Sequence, residues 1–155
     1  MLSDGDFSLL IKPASADCNL ECDYCFYLEK GKLYPDTSVH RMDDETLEIL
    51  VSGYMNTRQE VYSFGWQGGE PALMGTEFFR KVTKLQENCG SPGTRVSNGL
   101  QTNGTLITPE MARHLAEYRF LTGISIDGPE ELHNPFRKRA DGTGTYSAAR
   151  QRFTA

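Results

Sequence analysis

Four apolar, strand-like runs alternate with amphipathic helical segments along the 155 residues, and no other feature limits the possible folds as strongly. "FSLLIKP" (7–13), "EVYSFGWQ" (60–67), "TRVSNGLQTN" (94–103) and "FLTGISIDG" (120–128) read as strands. Between them, "DDETLEILVSGYM" (43–55) sets Leu47, Leu50, Val51 and Tyr54 on one helical face behind acidic first-turn residues. "GTEFFRKVTKLQENC" (75–89) spaces Phe78, Phe79, Val82 and Leu85 for a helix, with Thr76 as the expected N-cap. "TPEMARHLAEYR" (108–119) opens with a threonine cap, a proline and a glutamate, and a last helix is expected from about Thr145. Strand followed by helix, repeated four times, implies parallel strands joined by crossover helices, an α/β fold. Ligands of such folds gather at the carboxyl ends of the strands.

Each expected strand runs into a polar or glycine-rich cluster at that end. The first is followed by "CNLECDYCFY", the second by "QGGEP"; the third ends in "QTNG" and the fourth in "SIDGP". One composite site is therefore expected. The net charge of −5 and the pI near 5.2 speak against a nucleic-acid or anionic-membrane surface. No apolar run approaches the ~20 residues of a membrane span, and the acidic N-terminus does not suit a signal peptide, so a cytoplasmic protein is expected. In that compartment clustered cysteines point to metal binding or catalysis rather than disulfides.

Cys18, Cys22 and Cys25 form C-x3-C-x2-C. Thiolates are soft ligands for iron–sulfur clusters, zinc or copper(I). Structural zinc wants four protein ligands. Only His40 or the distant Cys89 could supply a fourth, neither at a standard spacing. Three thiolates on a four-iron cluster leave one iron open to a small molecule. With Tyr24 before the last cysteine, the pattern resembles the signature of radical S-adenosylmethionine (SAM) enzymes. "QGGEP" resembles their GGE motif, in which Gly68, Gly69 and Glu70 would hold the methionine amino group.

The blocks "LLIKPAS..CNL.C.YCFY", "QGGEPAL.G..FF", "LQTNGTLI" and "SIDGP.ELHN..RK...G.GTY" together resemble the anaerobic sulfatase-maturating enzymes, nearly end to end. The resemblance implies the first four βα units of a partial (βα)6 barrel and a [4Fe-4S] cluster with SAM as cofactors. It implies oxidation of a sulfatase cysteine or serine to Cα-formylglycine through a 5′-deoxyadenosyl radical. The partners would be a sulfatase or other peptide and a one-electron donor such as ferredoxin or flavodoxin. Residue by residue, Cys18, Cys22 and Cys25 would ligate the cluster and Tyr24 would lie by the adenine. Gln67, Ser125 and Arg137 would contact SAM, and Tyr27 would stand at the substrate end. Ser125 suits a ribose and Arg137 a carboxylate. The family's general base and its auxiliary-cluster domain are expected beyond residue 155, so residues 1–155 read as the N-terminal part of a core domain. That leaves strand four as an expected unpaired edge. A maturase of another peptide and a non-catalytic cluster-binding fragment are the other readings. Asp127 reads as a turn former, the three histidines as surface or capping residues, and Cys89 as a free thiol without function.

Overall fold

The computed structural model describes residues 7–34, 37 and 39–153. Four parallel strands lie in sequence order: β1 Ser8–Ile11, β2 Val61–Trp66, β3 Arg95–Thr102 and β4 Leu121–Ile124. Register aligns Ile11 with Trp66, Trp66 with Leu100, and Leu100 with Thr122. The crossovers carry helices α1 Asp44–Met55, α2 Gly75–Cys89 and α3 Pro109–Glu117. A four-residue α4, Glu130–His133, and α5, Tyr146–Phe153, follow β4. The expected α/β architecture with four βα units is therefore present.

Alternation along each strand sends one set of side chains under the helices. Ile11, Phe64, Trp66 and Leu100 are buried there with Leu47 and Val51 of α1, Phe78, Phe79 and Val82 of α2, and Met111 and Leu115 of α3. Trp66 anchors the layer: Phe64 stacks on it at 6.1 Å, and Phe78 and Phe79 meet it edge-on at 5.8 and 6.1 Å. Its indole N–H donates to Asn98 Oδ1 at 3.0 Å, and Asn98 exchanges two further hydrogen bonds with Gln86. The polar atoms beneath α2 are thus paired, which removes the penalty of burying them.

The opposite face lacks such a cover among the described residues. Leu10 of β1 is 63% exposed and Leu121 of β4 is 79% exposed, with Gly65 and Gly99 between them in the same register row. The expected open edge at β4 is found, and β1 has no outer partner strand among the described residues either. No described helix is long and apolar enough to cross a membrane.

Boundaries differ from expectation in three places. Thr76 does not cap α2, because a 3-10 turn, Pro71–Met74, runs straight into the helix and puts Met74 at the cap position. β4 stops at Ile124, four residues before the expected end, and the chain turns at Gly128 with φ of 101°. Helix α4 was not expected, since four residues carry no periodic signal. The caps of α1 and α3 form as chemistry dictates: Asp43 accepts from the Thr46 amide at 2.7 Å and Thr108 from the Met111 amide at 3.1 Å. Thr108→Ala is expected to lower the unfolding free energy by about 1 kcal/mol in chemical denaturation, with Thr108→Ser close to wild type.

Candidate functional site

The loops at the carboxyl ends of the four strands are knitted into one structure, and the knitting starts at the glycines. The Gly69 amide donates to Ser15 O at 2.9 Å and the Glu70 amide to Asp17 O at 2.7 Å, so "GGE" lies along the segment that leads into Cys18. A Cβ on Gly69 would sit 2.1 Å from Asp17 O, and one on Gly68 2.7 Å from Ser15 O. Gly68 also has φ of 126°, outside the range of other residues. Ser15 itself is left-handed, φ 52°, a strained conformation that the two loops hold between them.

Glu70 is fully buried. Its carboxylate accepts from the Ala72 amide at 2.8 Å, Thr102 Oγ1 at 2.7 Å and the Asn103 amide at 2.7 Å. Burial raises its pKa, against those three donors, which favour the anion. The resemblance puts Glu70 among the residues that hold SAM. In this structure its side chain joins the β2 and β3 loops.

Just past β3, Asn103 Nδ2 donates to Asn19 Oδ1 at 2.9 Å and lies 3.8 Å from Cys18 Sγ; Asn19 Nδ2 in turn donates to Thr105 Oγ1 at 2.9 Å. On the other side of Cys18, Asp17 receives the His40 amide and ring nitrogen, both at 2.8 Å, and Arg41 Nη1. Burial works to raise the Asp17 pKa, but these donors outweigh it and hold the carboxyl below its usual value. None of Asn19, Asn103 or Asp17 stood out in the sequence as part of the site. Their signal is an ordinary Asn or Asp beside a motif, and only the fold shows which donor meets which acceptor.

All three cysteines of the motif are free thiols; Cys22 is buried, Cys18 and Cys25 are partly exposed. Burial pushes the Cys18 thiol up to about 11 and raises that of Cys22 as well. Among the described residues no three His, Cys, Asp or Glu side chains converge on a point suited to a single metal ion. Cys89 is an exposed free thiol at the end of α2.

Tyr24 and Arg137 meet at this edge. Arg137 Nη1 donates to Tyr24 Oη at 2.7 Å, and Tyr24 Oη donates to Asp127 Oδ2. Arg137 also lies 3.8 Å from Asp127 Oδ1. Asp127 is therefore more than the turn former expected: it ties the cysteine loop to the segment after β4. The Arg137 side chain is only 12% exposed, and its Nε is a buried donor with no partner among the described residues. A buried guanidinium with an unused donor fits an anionic ligand group. Ser125 sits just past β4, where its amide donates to Thr102 O at 2.9 Å. Gln67 lines a cavity of about 420 Å³ on the open sheet face with Leu10, Gln101 and Leu121. The Tyr27 ring lies tilted against Phe26 at 4.2 Å, with Lys12 Nζ 5.3 Å from its ring centre.

The histidines correct the expectation of surface roles. His133 is completely buried. The Asp127 amide donates to its Nδ1 at 3.3 Å, so Nε2 carries the proton and donates to Thr145 Oγ1 at 3.1 Å; Thr145 then donates to Arg137 O at 2.9 Å. His133 thus fixes the main chain at both Asp127 and Arg137. His114 is buried against Tyr118 at 4.8 Å, and His40 pairs with Asp17 as described.

The model of the radical SAM superfamily matches residues 13–152. This chain belongs to that superfamily. It is 47% identical over 140 residues to a cysteine-type anaerobic sulfatase-maturating enzyme of Clostridium perfringens, covering 90% of this chain and 38% of that protein. It is 40% identical over 139 residues to a serine-type enzyme of Bacteroides thetaiotaomicron, covering 89% of this chain and 33% of that protein. A solved structure of native anSMEcpe with bound AdoMet and Cp18Cys peptide matches with a TM-score of 0.86 and 45% identity, over 95% of this chain and 38% of that one. The chain thus spans between 33% and 38% of the length of these relatives.

Gly69→Ala is expected to push the Asp17–Cys18 segment away and sharply reduce iron uptake during anaerobic reconstitution, while far-ultraviolet circular dichroism stays near wild type. Gly53→Ala, on α1 with nothing within 4 Å of an added Cβ, is the control expected to load normally.

Proposed function

We propose that this chain is the cofactor-binding part of a radical SAM oxidoreductase of the anaerobic sulfatase-maturating kind, oxidising a cysteine or serine of a sulfatase polypeptide to Cα-formylglycine. The observation that carries the reading is the convergence of the three-thiol loop, the GGEP loop, Ser125 and the Tyr24–Asp127–Arg137 group at one sheet edge, in a chain so similar to both the cysteine-type and serine-type enzymes. Residues 1–155 correspond in this reading to the N-terminal part of the core domain. The general base and the auxiliary-cluster domain belong to the portion of the relatives that this chain does not span.

When bound, a [4Fe-4S] cluster with SAM supplies one-electron reductive chemistry that ends in hydrogen abstraction from the substrate carbon. The chain's own residues do the holding. Cys18, Cys22 and Cys25 provide three thiolates, and Asn103 Nδ2 beside Cys18 Sγ offers a donor that stabilises negative charge there. Gly68 and Gly69 let a ligand approach the main chain closely. Arg137 would suit the carboxylate of SAM, Ser125 its ribose and Tyr24 its adenine, with Gln67 as a further contact. Tyr27 stands towards the peptide substrate. A one-electron donor such as ferredoxin or flavodoxin supplies the electron, and reduced thiols suit the cytoplasm.

Anaerobic reconstitution with iron and sulfide is expected to give a brown protein holding about four irons per chain. SAM and dithionite should then release 5′-deoxyadenosine, and Cys22→Ala should lose both properties. A colourless protein that retains zinc, or a Cys22→Ala variant with the same cluster, would overturn the reading. Product analysis with a sulfatase-derived peptide against an unrelated cysteine peptide separates sulfatase maturation from modification of another peptide.

A further inference from the structure

Gln101 of β3 lines the open-face cavity with Gln67, and the proposed function gives it no role. It stands opposite Gly123 of β4 in the register, on the open face of the sheet. A Cβ built on Gly123 would lie 2.4 Å from Gln101 Oε1 and 3.2 Å from its Cδ, so the amide lies flat across the space a side chain would fill. From there Nε2 donates to Ser125 Oγ at 3.0 Å. The Ser125 main chain is pinned independently, through its amide to Thr102 O at 2.9 Å.

We infer that Gln101, laid across Gly123, is a positioning residue that sets the hydrogen-bonding polarity of Ser125 towards the ribose of SAM. A serine hydroxyl can donate once and accept twice, and left alone it rotates to suit its surroundings. An oxygen that already accepts from an amide N–H has its rotation restricted and keeps its proton for a ligand. Ser125 then meets a ribose hydroxyl oxygen as a donor in a fixed direction. Glycine is required at 123 for this purpose, although its backbone is ordinary extended strand and it contributes no turn. The inference rests on the SAM reading proposed above and adds to it a residue pair and a direction of donation.

The test is SAM affinity, measured by anaerobic titration calorimetry on the reconstituted protein, with the 2′-deoxy and 3′-deoxy ribose analogues as probes. Wild type is expected to prefer SAM over the analogue that lacks the hydroxyl met by Ser125. Gln101→Ala should weaken SAM binding about three- to tenfold, the range for one lost hydrogen bond, and should narrow that preference. Gly123→Ala should do the same without altering either hydrogen-bonding residue, and the double variant should be no worse than Gln101→Ala alone. Gln101→Glu, which replaces the donor with an acceptor that takes the serine proton, should be at least as damaging as Gln101→Ala. The visible spectrum of the cluster is expected to be unchanged in all four, which separates positioning from general disruption. Wild-type affinity and analogue preference in Gln101→Ala, or in Gln101→Glu, overturns the inference while leaving the SAM reading intact. Wild-type protein that carries a cluster but binds no SAM overturns the SAM reading, and the inference with it.

Discussion

The Glu70 carboxylate lies where the ends of β2 and β3 come together, shielded from water, with three donors around it. Its own amide reaches across to Asp17 O, in the loop after β1. One residue therefore joins three of the four loops at the carboxyl edge of the sheet. Hydrogen bonds to a charged group contribute about 1.5–3 kcal/mol each, and removing the carboxylate would leave buried donors without partners. The cysteine loop has little apolar packing of its own: Leu20 and Cys22 are buried, but Tyr24 and Phe26 are exposed. Its shape depends on this polar framework, and the framework depends on Glu70.

Hydrophobic burial and the polar edge divide the work. The layer of Trp66, Phe79, Val82 and Leu100 beneath the helices fixes the strands in register. Register then decides which side chains meet at the edge, because each strand delivers its last residues at a fixed height. Asn103 reaches Cys18 and Asn19 only because Leu100 is level with Trp66. On the open face the same register places Gly65 beside Gly99 and, one row further, Gln101 beside Gly123.

Much of this was legible in the sequence where a local signal exists. The span 75–89 for α2 and the Thr108 cap followed from periodicity and capping chemistry, and the three thiols and paired glycines followed from spacing. Thr76 misled because its cap signal competed with a 3-10 turn already leading into the helix. β4 ended early because Asp127 is drawn to Tyr24, a partner about a hundred positions away, and Gly128 turns the chain. His133 read as a surface or capping residue because the three histidines show no ligand spacing among themselves. The residues that bury it and take its hydrogen bonds, Thr145 among them, become neighbours only on folding. Glu70 gave no hint of facing inward, since a glutamate after two glycines reads equally well as a ligand-binding group.

The central claim is that three thiolates, held by neighbouring loops, leave one iron of the cluster open to SAM. Mössbauer spectra of the reconstituted protein, recorded before and after addition of SAM, test it most directly. The account predicts that one iron site becomes distinct from the other three when SAM is added. Four irons that stay indistinguishable and unchanged by SAM would contradict it.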